Sequence, residues 1–61
     1  DIICIIQIGN EFFSGYVSCT THQPATAPTQ ELASKFDYKT AWGIVNALRF
    51  FQYDAKLIEI N

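Results

Sequence analysis

Ile2-Ile3-Cys4-Ile5-Ile6-Gln7-Ile8-Gly9-Asn10 is the stretch on which the fold turns. Its β-branched side chains restrict χ1 and resist a helix but suit a pleated strand. Apolar residues stand at both parities, and successive side chains of a strand point to opposite faces. A strand of this kind is central in a sheet or covered on both sides. Gly9-Asn10 then supplies two residues that tolerate positive φ, as a tight hairpin requires. Glu11 to Thr20 reads as the returning strand, with Ser14-Gly15 as a candidate bulge.

A two-residue turn sets the register. Ile8 opposes Glu11, Ile6 opposes Phe13 and Ile3 opposes Tyr16. One face of the hairpin then collects Ile2, Cys4, Ile6, Ile8, Phe13 and Val17, and we assign it to the core. The other collects Ile3, Ile5, Gln7, Phe12, Ser14 and Tyr16, a mixed and aromatic set.

Beyond the hairpin, 21–29 holds both prolines, Pro24 and Pro28, among Thr and Ala, and reads as a loop or extended arm. The segment 31–36 is open between a helical turn capped by Thr29 and a short extended piece. A helix follows. Asp37 suits its N-cap, Phe36 can staple onto Ala41, and Ala41, Ile44, Val45, Leu48 and Phe51 form the buried stripe. Gly43 lies inside this helix, and close approach to the sheet or to Trp42 is the expected reason. Residues 55–60 alternate as a last strand.

Strand, strand, helix, strand predicts a single α+β domain over residues 1–61: ββαβ, with a three-stranded antiparallel sheet of order 2-1-3 and one principal helix on one face. One helix is too narrow to shield both sides of the first strand. The expectation is an apolar partner-binding patch made of Ile3, Ile5, Phe12, Tyr16 and Leu57.

Composition narrows the function classes. The chain has 61 residues, 49% of them hydrophobic and 16% charged, with a formal charge of −2. That apolar fraction opposes intrinsic disorder, and the length allows only one small core. Its four cations, Lys35, Lys39, Arg49 and Lys56, are scattered among acids in the second half, which argues against nucleic acid as a partner. Stacking of bases on Phe12 and Tyr16 would need flanking cations that the first two strands lack. Ile2–Ile8 has neither the basic flank nor the cleavage site of a secretory leader, and no stretch has the length of a membrane span. The reading is a soluble cytoplasmic protein with Cys4 and Cys19 as buried thiols.

Candidate chemistry is thin. Cys19-Thr20-Thr21-His22 with Cys4 offers three soft ligands where structural zinc wants four, so no metal is expected. Cys19 has no orienting group that would make it a nucleophile beside His22. Asp54 and Glu59 read as solvated charges, and Gly9-Asn10 opens no helix that would cradle a phosphate. No catalytic residue and no cofactor or small-molecule substrate is expected. The chain reads as a non-enzymatic interaction protein.

The run Ile5-Ile6-Gln7-Ile8-Gly9-Asn10-Glu11-Phe12-Phe13-Ser14-Gly15-Tyr16 resembles the opening of small orphan proteins encoded by phages and prophages of Gram-positive bacteria. Ala33-Ser34-Lys35-Phe36-Asp37-Tyr38-Lys39-Thr40-Ala41, followed by a helix and an Ala-Lys-Leu-Ile-Glu-Ile strand, resembles their later half. The resemblance implies a phage accessory protein acting in the bacterial cytoplasm. Its partner would be a second copy or a host protein. The alternatives are an inhibitor of a host defence enzyme such as a nuclease and, further off, a nucleic-acid-binding accessory protein.

Overall fold

A computed structural model describes residues 2–18 and 23–60. Among these residues the chain is α+β, with one α-helix on an antiparallel sheet of five strands: β1 (Ile3–Ile8), β2 (Glu11–Ser18), β3 (Gln23–Ala27), β4 (Phe36–Asp37) and β5 (Ala55–Glu59). A single 3-10 turn spans Gln30–Leu32, and α1 runs from Tyr38 to Phe50. The expected sheet was three-stranded. The prolines did not prevent β3, because proline is tolerated on an outer strand or opposite a bulge and β3 is both. The alternatives at 31–36 are resolved as the 3-10 turn followed by β4.

β1 is central. β5 pairs with it over Cys4↔Glu59, Ile5↔Ile58, Ile6↔Leu57, Gln7↔Lys56 and Ile8↔Ala55, and this ladder occupies one whole edge. Ile60 N–H to Ile3 C=O (2.9 Å) and Gly9 N–H to Asp54 C=O (3.1 Å) extend it at both ends. The opposite edge is shared. β2 takes Gln7↔Phe12 and Ile8↔Glu11, and β4 takes Ile3↔Asp37 and Cys4↔Phe36. Between them Ser34 donates its N–H to Phe13 C=O (3.1 Å) and its hydroxyl to Ser14 C=O (2.9 Å). The segment leading into β4 is therefore a wedge in a fork between β1 and β2.

The turn behind this hairpin is as expected, with Gly9 at φ +59°, the first central position where a type II′ connection wants glycine. The fork follows from the bulges. β2 pairs Phe13↔Thr26, then Gly15↔Ala25, then Tyr16↔Pro24, then Ser18↔Gln23. Two steps along β2 match one along β3 at Ser14 and again at Val17. Gly15 at φ +138° occupies a region that glycine alone enters freely. Each extra residue bends the strand and increases its twist, so β2 leaves β1 and continues as a ribbon with β3.

The helix is built as its sequence suggests. Asp37 is the N-cap, and Phe36 before it packs against the core that contains Ala41. Ala41, Val45 and Leu48 are buried against Cys4, Ile6, Phe13 and Ala55, with Ile8, Ile44, Trp42, Tyr53 and Leu57 around them. Phe51 does not extend this stripe. It is the C-cap and is exposed, because the helix ends in a Schellman closure: Gln52 takes φ +71° and donates to Arg49 C=O (2.9 Å), and Tyr53 donates to Leu48 C=O (3.0 Å). Tyr53 takes the core position expected of Phe51. Nor does Gly43 approach the sheet, since a Cβ built there meets nothing within 4 Å beyond its chain neighbours. Ile2 and Val17, expected in the core, are exposed, Ile2 ahead of β1 and Val17 at the second bulge.

Candidate functional site

The five residues expected to form one patch do not lie on one surface. Ile3, Ile5, Gln7 and Phe12 share the sheet face away from the helix, by the alternation along β1 and the pair Gln7↔Phe12. On that face Ile5 is 0% exposed, while Ile3 and Phe12 are half-buried. Ala27, paired with Phe12, and Ala33, in the wedge, are also buried, and none of Ile5, Ala27 and Ala33 belongs to the core beneath the helix. Ile5, at the centre of the second face, is thus buried where an open surface was expected.

Leu57 faces the helix. Its partner is Ile6, and it packs against the core cluster. Tyr16 also points to the helix side. The extra residue at Ser14 shifts the parity of β2 by one, so Tyr16 follows Phe13 onto that face, and the two rings meet edge to face at 5.1 Å. Phe13 in turn lies 5.9 Å from Phe36. Tyr16 is 36% exposed at the margin of this aromatic group.

The exposed apolar surface lies elsewhere. Phe50, on the outer side of α1, is 79% exposed and stacks edge to face on Phe51 at 5.3 Å. Val17 and Leu32 are more than half exposed, and Ile2, Tyr38 and Ile60 less so. Ile2, Asp37, Tyr38 and Lys39 line a shallow, open groove beside the start of the helix. Helical order alone could have singled out Phe50, because it lies opposite the Ala41–Leu48 stripe.

A second feature follows one flank of α1. Tyr38, Trp42 and Arg49 stand at i, i+4 and i+11, with the two rings 6.3 Å apart and the Arg49 guanidinium 5.8 Å from the Trp42 ring centre. Arg49 Nε donates to Ala55 C=O at 3.0 Å. That carbonyl lies on the outer edge of β5. Ile60 and Asp54 exchange bonds with β1, so even-numbered residues of β5 point their backbone groups inward and Ala55, Leu57 and Glu59 point theirs outward.

Two titratable groups are shifted. Burial pushes the Cys4 thiol up, and the carboxylates of Glu59 and Asp37 add to the effect, so this free cysteine is held as an unreactive thiol. The Asp37 carboxyl is held below its ordinary range, first by the Thr40 hydroxyl, with the Thr40 backbone N–H and Lys39 assisting against partial desolvation. No side-chain cap bond of ordinary geometry closes there. Cys19 and His22 lie outside the described residues. Among the described residues no group of three His, Cys, Asp or Glu side chains could hold a metal ion. No helix among them is long and apolar enough to cross a membrane.

Comparison of the chain with protein-family models, with curated proteins and with solved structures finds no match.

Proposed function

We propose that this chain is a small, non-enzymatic interaction protein that acts by contacting another protein. The observation that carries the reading is the exposed apolar surface. Phe50 is 79% exposed on the outer side of the only α-helix among the described residues, with Phe51, Val17, Leu32 and Tyr38 exposed as well. Full burial of a large apolar side chain is worth roughly 1.5–3 kcal/mol, and Phe50, Val17 and Leu32 each forfeit the greater part of it. Contact with a partner recovers that burial. The resemblance to small phage and prophage proteins supports a setting in the bacterial cytoplasm, where the partner is a second copy or a host protein, a defence enzyme among the candidates. The apolar face first expected from the sequence is replaced in this reading by the outer side of α1 and the flank toward β5.

The test combines light scattering with photo-crosslinking amino acids placed at Phe50 and Val17 in Gram-positive host cells. A mass above the monomer, or a discrete crosslinked host protein competed away by unlabelled chain, is expected. A monomer that crosslinks to nothing from either position would overturn the reading.

A further inference from the structure

Among the described residues, the outer edge of β5 carries backbone groups without a partner, in a defined pattern. The N–H groups of Ala55, Leu57 and Glu59 and the C=O groups of Leu57 and Glu59 all point away from β1. Among the described residues, only Ala55 C=O has a partner on this side, the Arg49 Nε. Such an edge is a template for another strand.

We infer that a second copy of this chain adds its own β5 to this edge, antiparallel and about a twofold axis at Leu57. The inference goes beyond the protein-contact reading above, since this contact leaves Phe50 free for another partner. In this register Leu57 faces Leu57 of the second copy and Ala55 faces its Glu59, so the outward groups of each strand meet those of the other. Glu59 lies on the helix side of the sheet, because it pairs with Cys4 of the helix-side core. It therefore arrives beside the Arg49 that stands at Ala55 C=O. The twofold axis makes this ion pair twice, and the small Ala55 leaves room for it. On the other side of the sheet the stem of Lys56 lies against Ile58 of the second copy.

The helices fit the same arrangement. α1 rests on a core that takes Cys4 and Ile6 from β1, Ala55 from β5 and Phe13 from β2, and its C-terminal end reaches the outer edge of β5 through Arg49. The end of the helix that meets this edge carries Arg49, whose guanidinium lies 5.8 Å from the Trp42 ring centre and stands where Glu59 of the second copy arrives. The product is one continuous sheet of two copies, with both open β5 edges removed.

Three chains test it by light scattering over a range of concentrations. Wild type is expected to approach twice 6.9 kDa. A synthetic chain carrying an N-methyl group on Leu57 loses an outward donor without touching the β1–β5 ladder, and its dimerisation should weaken at least about tenfold. Arg49→Glu and Glu59→Arg should each be monomeric alone, and an equal mixture should form a heterodimer, since both crossed pairs are then Glu with Arg. A wild-type mass of 6.9 kDa up to millimolar concentration would overturn the inference. So would a dimer indifferent to N-methyl-Leu57 and to both charge reversals. A monomer that still crosslinks to a host protein from Phe50 overturns this inference alone and leaves the protein-contact reading standing.

Discussion

The two edges of β1 behave differently. Along β5 the ladder runs unbroken through five residue pairs, from Cys4↔Glu59 to Ile8↔Ala55. Along the other edge β2 holds only Gln7 and Ile8 before the fork opens, and the Ser34–Asp37 wedge takes over. An unbroken ladder preserves side-chain parity from end to end, so a sequence pattern can be carried along it. A bulged strand does not preserve parity, and each extra residue exchanges the faces beyond it. The fork does two things at once. It sends Tyr16 to the helix side, and it admits the segment leading into β4, whose Ser34 bonds to Phe13 and Ser14.

This contrast can be broken most severely at two buried positions. Leu48→Ala beneath the helix and Ile5→Ala on the far face should each cost about 2–5 kcal/mol and leave the domain largely unfolded at room temperature. Chemical denaturation measures both. A near-neutral Ile5→Ala beside a crippling Leu48→Ala would show that the far face is open at Ile5. Gly15→Ala probes the fork alone. At φ +138° an alanine is strained by about 1–3 kcal/mol, and amide exchange should quicken in the β2–β3 ribbon while the β1–β5 ladder keeps its protection.

Gly43→Ala acts on neither edge. The added methyl group meets open space and the helix gains propensity, so the melting curve should shift upward by up to about 1 kcal/mol of stability. The smallest effect is on pH dependence. Asp37 has a lowered pKa in the fold, so its contribution is present above the carboxyl's unfolded pKa and fades as pH falls through the folded one. Cys4 is raised, so stability should decline as pH climbs past the ordinary thiol range, where the unfolded chain ionises first. Stability curves of Asp37→Asn and Cys4→Ala should lose the acid and the alkaline limb respectively.

Much of the frame was legible. The β-branched run at Ile2–Ile8 marked a central strand, Gly9-Asn10 marked the turn, and Asp37 with the Ala41–Leu48 spacing marked the helix. Ser14-Gly15 is readable as a bulge, and a bulge exchanges the faces beyond it. Counting the extra residue would have moved Tyr16 to the helix side. Strict alternation with Ile6 as partner would have done the same for Leu57. The wedge was beyond reach because Ser34 finds its partners at Phe13 and Ser14 only after the fork exists. β3 was hidden by composition, since Pro24 reads as a breaker until the strand is known to be outermost. Of the candidate surface, Phe50 could have been read from the helical period, whereas the outward row of β5 backbone groups depends on ladder parity.

The most direct test of the fork is the position of the Tyr16 ring, read from nuclear Overhauser contacts in solution. Contacts from Tyr16 to Phe13 are predicted, with Ile5 showing contacts to neighbouring side chains of its own chain. Contacts between Tyr16 and Ile3 across an unforked hairpin, with Ile5 open to solvent, would contradict the account.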